Sequence, residues 1–189
     1  MNTGFMRLFP DTAPSALLSP ALARLLLGGP GLLMLAGLTL ALGEPMRTHS
    51  DALATPVAPL GILSLQFACA ADAAQAILAG WDAAALAHAR SSLYWDMAFA
   101  PAYGILLVAL SERLAIGEAR PWLPWLPLAA AAADMLENIL HLALLAAGVP
   151  GIAPAACVAA LSKWGLLSLW AASAAATGLG WLWRLVSRR

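Results

Sequence analysis

The sequence predicts an all-α protein, a polytopic transmembrane four-helix bundle with a long outer loop carrying short helices. Three observations predict it. Hydrophobic residues make up 62% of the 189 residues and charged residues only 11%, against roughly 25% charged in an ordinary soluble domain. The mean hydropathy is +0.81, so there are too few polar side chains to cover a water-exposed surface. Four stretches are long enough to cross a hydrocarbon core, which takes about 20 mostly apolar residues. This composition excludes a soluble enzyme and a disordered chain. It also excludes a nucleic-acid binder, since the net charge is zero and no basic face exists.

The spans follow in order within a single membrane domain, residues 1–189. Residues 1–21 read as an irregular cytoplasmic arm, because Pro10, Pro14 and Pro20 interrupt it. Span one covers about Leu22 to Leu42. Within it, Leu27-Gly28-Gly29-Pro30-Gly31 is apolar, and reads as a place for a kink or a close helix contact rather than a phosphate loop. Ala41-Leu42-Gly43 has small residues spaced like a signal-peptidase site. The apolar run before it is longer than a usual signal core, so the span is read as retained. Span two covers about Leu93 to Leu114, span three Trp122 to Ala147, and span four Ala155 to Trp183. None alternates with period 2, as a barrel strand would.

The outer loop runs from Glu44 to Ser92. It opens with turn-prone residues, among them Pro45, His49, Asp51, Pro56 and Pro59. Gly61 to Phe67 reads as a short extended stretch. Ala68 to Ile77 is Ala-rich, with Asp72 and Gln75 on its polar side. A second helical piece, Asp82 to Arg90, begins with Asp82 as its N-cap. The loop is too apolar to stand free in water and should pack on the outer ends of the bundle, as a structural cap or as a lid over an outward-facing site.

Lys and Arg set the orientation. Arg7, Arg24, Arg113, Arg120, Arg184, Arg188 and Arg189 fall on one side; Arg47 and Arg90 fall on the other. The richer side should be cytoplasmic, which puts both termini inside. Trp122, Trp125, Trp181 and Trp183 suit the interfacial belt on that side.

Span three carries the strongest functional signal. Asp134, Glu137, Asn138 and His141 are spaced i, i+3, i+4, i+7 and share one helix face. A charged side chain near the bilayer centre costs about 2.5–3.5 kcal/mol on insertion scales. Such a stripe must therefore face protein or a water-filled cavity. Span two adds Asp96 and Tyr103, seven apart and so on one face, with Pro101 between them. Pro101 lacks the N–H that the Met97 carbonyl would accept, which predicts a kink. Span four adds Ser162, Lys163 and Trp164. At about 1.5 Å per residue from the outer ends, Tyr103, Glu137 and Lys163 all fall roughly 13–15 Å deep. Asn138 lies at that level, Asp134 deeper and His141 shallower.

Lys163 is the natural partner of Glu137 or Asp134. With every carboxyl ionised, Asp96, Asp134, Glu137 and Lys163 sum to −2, so the group must hold a proton or a cation, or keep one carboxyl wet. Glu137, Lys163 and Asp134 are the candidates for any acid–base catalysis. Asn138 and Ser162 alone would read as helix-joining polar residues. His141 reads as a hydrogen-bonded neighbour rather than a metal ligand, and Asp72 and Asp82 as caps or solvated. No metal and no cofactor is expected, since neither H-E-x-x-H nor E-x-x-H is present. No G-x-S-x-G marks a nucleophilic serine. Cys69 and Cys157 both fall on the outer side, where oxidation would permit a bridge; the sequence reading favours two free packing cysteines.

The order of these features resembles a family of small uncharacterised bacterial four-span integral membrane proteins. The outer loop ends in a helical piece carrying Trp81; Asp96 and Tyr103 stand in the second span, Asp134, Glu137 and Asn138 form an Asp-x-x-Glu-Asn stripe in the third, and Lys163 stands in the fourth. The resemblance spans about residues 60 to 170. It implies a multi-pass protein of a bacterial inner (plasma) membrane and implies no activity. The expected function is a buried, outward-facing polar pocket that binds a small amphiphile or lipid headgroup through Asp96, Tyr103, Asp134, Glu137, Asn138, His141 and Lys163. Expected partners are membrane lipid, an amphiphilic ligand and a second copy in a homodimer. One alternative is a proton- or cation-coupled small transporter. Another is an accessory membrane subunit whose polar stripe pairs with a different chain.

Overall fold

The computed structural model describes residues 19–114, 116 and 122–187. Residues 1–18, with Arg7, and also Arg120, Arg188 and Arg189 of the orientation count, lie outside them. Seven helices account for the described fold: α1 (Pro20–Leu27), α2 (Gly29–Asp51), α3 (Ile62–Gln66), α4 (Ala71–Ala79), α5 (Ala83–Arg113), α6 (Leu126–Ala147) and α7 (Ala153–Val186). Short 3-10 turns at Leu123–Trp125 and Pro150–Ile152 lead into α6 and α7. Among the described residues the only strand-like feature is an isolated bridge between Thr55 and Ala58. The all-α expectation therefore holds. Three helical stretches, Ala83–Arg113, Leu123–Ala147 and Pro150–Arg184, are long and apolar enough to cross a membrane.

Span one is not one continuous helix. Gly28 is extended, at φ −65° and ψ 154°, and separates α1 from α2. Pro30 has no N–H to carry the α1 ladder onward, but it is well placed in the first turn of a new helix. Gly31 then passes close to α1, where a Cβ would collide with the Leu25 carbonyl oxygen. The other end of span one also differs from expectation. α2 continues through Pro45 to Asp51, with an Arg47–Glu44 ion pair at 2.9 Å on its surface.

The outer loop is correspondingly shorter, and two of its elements read differently from the sequence. Gly61–Phe67 is not extended: α3 buries Ile62, Leu65 and Gln66, an i, i+3, i+4 set that points one face inward. The helical piece after Asp82 does not stop at Arg90 but continues as α5 for 31 residues, passing through Pro101. Asp82 does cap it, accepting a hydrogen bond from the Ala85 N–H at 2.8 Å. Two polar residues at the expected end of that piece are satisfied across the bundle. Arg90 donates to the Leu145 carbonyl, and Ser92 to the Met46 carbonyl at 3.1 Å.

α2 packs along α5, α5 along α6 and α6 along α7. The four form an open row, since α2 and α7 share no extensive contact. α6 ends where Gly148 adopts φ +62°, the left-handed cap that a residue without Cβ takes at least cost. Gly104 of α5 lies so close to α6 that an added Cβ would stand 3.0 Å from the Ala131 Cβ. At the end of the bundle that carries the loop, Leu53, Leu65, Ile77, Trp81, Leu93 and Leu144 make one apolar core, so the loop packs on the bundle as expected. The Trp81 indole N–H donates to the Leu53 carbonyl at 3.1 Å inside it.

Cys69 and Cys157 are joined in a disulfide, which corrects the reading as free cysteines. The bond links the segment between α3 and α4 to the second turn of α7, 88 residues away in sequence.

Candidate functional site

The buried polar residues gather at one level of the bundle. α6 places Asp134, Glu137, Asn138 and His141 on the face turned toward α5 and α7, and all four are buried. Lys163 of α7 reaches between the two acids. Its Nζ lies 3.0 Å from Asp134 Oδ1 and 2.7 Å from Glu137 Oε2. The Tyr103 hydroxyl of α5 donates to Asp134 Oδ2 at 3.1 Å. Asp134 thus joins three helices: its own, α5 through Tyr103 and α7 through Lys163. The depth argument puts Tyr103, Glu137 and Lys163 at a common level with Asp134 deeper; the fold joins Lys163 to both acids and Tyr103 to Asp134.

His141 is fully buried, with Nδ1 3.8 Å from Glu137 Oε1. Neither of its ring nitrogens makes a well-formed hydrogen bond, and the same is true of both amide atoms of Asn138. Asp96 faces Asn138 from α5. It is 7% exposed and, among the described residues, has no cation within ion-pair distance. Ser162, named beside Lys163, turns away and donates to the Val158 carbonyl at 2.8 Å on the exposed face of α7.

A cavity of about 780 Å³ lies against this cluster. α2, α5 and α7 wall it, with Asp96, Tyr103, Asp134 and Lys163 at its polar end and Phe99, Leu107, Trp164 and Leu167 along its sides. Glu137, Asn138 and His141 sit behind that lining, out of the cavity itself. Pro59 to Leu63 and Gln66 form its roof. The roof is tied to α2, because the Ile62 N–H donates to Ser50 Oγ at 3.2 Å. Gly61 makes the turn at φ +58°, and a Cβ there would strike the Ser50 carbonyl. The cavity lies between α2 and α7, the two helices of the row that share no extensive contact.

Sequence reasoning missed Gln66 and Phe99. Gln66 is 3% exposed and approaches the Glu137 carboxylate, while Leu65 beside it approaches His141. The i, i+3, i+4 pattern Ile62, Leu65, Gln66 was the available signal. Phe99 could have been found too, since it lies between Asp96 and Tyr103 on the same face of α5.

The cluster can hold charge in balance. Three carboxyl groups face one ammonium, so a proton or a cation can be held at the cavity's polar end. Among the described residues no three His, Cys, Asp or Glu side chains are arranged to hold a metal ion. No family model, curated protein or solved structure matches the chain.

Proposed function

We propose that this chain is a four-span membrane protein that binds a small amphiphile or lipid headgroup in an outward-facing cavity. The observation that carries the reading is the cavity's construction: apolar and aromatic sides, a charged end, and a place between α2 and α7, which share no extensive contact. An amphiphile matches both surfaces at once. Its headgroup meets Asp96, Tyr103, Asp134 and Lys163, and its chain leaves through the gap into lipid. Glu137, Asn138 and His141 hold that end in place from behind.

Several features support a membrane setting. Charged side chains are buried while large apolar ones face outward: Leu33, Leu40, Leu179 and Trp183 are each more than 65% exposed. α2 would be the fourth span, packed on α5. The disulfide joins segments at the end that the Arg count puts outside, where oxidising conditions preserve such bonds. With the resemblance to bacterial four-span proteins, these features support a place in the inner membrane of a bacterium, with both termini inside.

The accessory-subunit reading needs a polar stripe turned outward. Glu137 and Lys163 are 0% and 4% exposed, so the stripe is spent on this chain's own helices.

Photo-crosslinking tests the proposal. An acyl amphiphile carrying a diazirine near its headgroup, added to membranes holding the protein, should label residues of the cavity such as Phe99, Leu107 and Leu167. Filling the cavity by Leu107→Trp should reduce that label at least fivefold. Label confined to outward residues such as Leu33 and Leu179, in both proteins, would contradict it.

A further inference from the structure

We infer that the cavity selects a protonated alkylamine, with its ammonium seated at Asp96 and the Gln66 carbonyl oxygen and its apolar body along Phe99, Trp164 and Leu167. This rests on the amphiphile reading of the cavity and adds the charge of the headgroup.

The charge balance comes first. Lys163 is held by Asp134 and Glu137 together, at 3.0 and 2.7 Å. Asp96 is left as the third carboxyl group, lining the cavity without a cation beside it. An anionic headgroup would enter against Asp96 and Asp134, with the one ammonium there already paired to Asp134 and Glu137. A cationic one supplies the missing charge.

The hydrogen-bonding capacity points the same way. Gln66 turns its amide toward the Glu137 carboxylate, which can only accept. Its Oε1 is buried and without a partner, an acceptor left unfilled beside the cavity. Gln66 and Asp96 line the same cavity and both offer acceptors. An ammonium has three N–H donors and can serve both; an alcohol has one.

The aromatic side chains complete the match. Asp96, Phe99 and Tyr103 are spaced i, i+3, i+7 and share one face of α5. The Phe99 and Tyr103 rings lie 5.3 Å apart, tilted, and line the same cavity as Asp96. Ring faces attract ammonium groups by about 0.5–2 kcal/mol each. Trp164 already lies 5.4 Å from the Lys163 ammonium, so Phe99 and Tyr103 are the rings open to a ligand. At the mouth Arg47 is paired with Glu44 and presents little net charge to an entering cation.

The same ammonium chemistry occurs in an aminoalkyl phospholipid headgroup and in a free single-chain amine. The full-length protein in phosphatidylcholine nanodiscs, titrated calorimetrically at pH 7 against empty discs, separates the cases. The probes are octylammonium, octanol and octanoate. The expected result is octylammonium binding at least tenfold tighter than either neutral or anionic probe, with the preference lost in Asp96→Asn. Should Asp96→Asn fail to fold, Gln66→Leu takes its place, with at least a threefold loss of preference expected. Equal binding of octanol and octylammonium, unchanged in the variants, would overturn the inference and leave the amphiphile reading standing. Binding of no probe above empty discs would overturn both. Where octylammonium is preferred, displacement by lysophosphatidylethanolamine identifies a lipid headgroup as the source, and failure to displace identifies a free amine.

Discussion

Asp134 is the residue on which the interior depends. It accepts from Tyr103 and pairs with Lys163, and the Lys163 ammonium in turn neutralises Glu137. Removing one partner of a buried charge pair leaves the other uncompensated, at a cost of about 3–5 kcal/mol. Lys163→Met should therefore lower the melting temperature sharply, while Lys163→Met with Glu137→Gln should melt closer to wild type. Thermal unfolding in detergent reads the comparison, and a double variant no milder than the single would count against the pairing. Tyr103→Phe removes one hydrogen bond to a charged group and should cost about 1.5–3 kcal/mol in the same assay. At this scale much was legible in the sequence. Asp134, Glu137, Asn138, His141 and Lys163 stand out because carboxylates and amines are expensive in an apolar helix, and helical spacing then sets their faces. Gln66 was passed over because its neighbours alternate apolar and polar, which reads as extended; over five residues the helical set Ile62, Leu65, Gln66 is too brief a signal to outweigh that.

Individual helices show where sequence reading loses detail. Their number and character in the second half of the chain were legible from long apolar runs, and Gly148 ends α6 one residue past the expected boundary. The break at Gly28 was legible as a kink at Leu27-Gly28-Gly29-Pro30-Gly31, where Pro30 opens a new helix; the extension of α2 to Asp51 was not, since it goes with contacts across the bundle such as Ser92 with the Met46 carbonyl. Pairing of Cys69 with Cys157 was equally hidden, because two cysteines in a sequence carry no distance. That bond closes a long loop, and the chain-entropy model sets an upper value of about 4–5 kcal/mol for it. Replacing both cysteines by Ala should lower the melting temperature and speed proteolysis of the segment from Pro59 to Ala79. An unchanged melting curve and digest would show that the roof is held by its apolar core alone. Gly104→Leu should force α5 from α6 at Ala131, at about 1–3 kcal/mol for an overpacked contact. Thermal unfolding of that variant beside Gly104→Ala, which needs only a few tenths of an ångström, checks it.

The whole molecule is an open row of helices with a roof at one end. α5, α6 and α7 bury the polar cluster, α2 extends the row past α5, and the unclosed side between α2 and α7 becomes the cavity. The disulfide and the Trp81 core fix the roof above it. No span reading could supply this arrangement, since apolar runs give the elements but not which pair of helices fails to meet. The central claim is that the cavity holds an amphiphile drawn from the membrane. Native mass spectrometry of gently extracted protein tests it most directly, with wild type beside Leu107→Trp. The account predicts a bound species of lipid or amphiphile mass on wild type that is lost when the cavity is filled. Folded protein carrying the same adducts in both forms, or none in either, would contradict it.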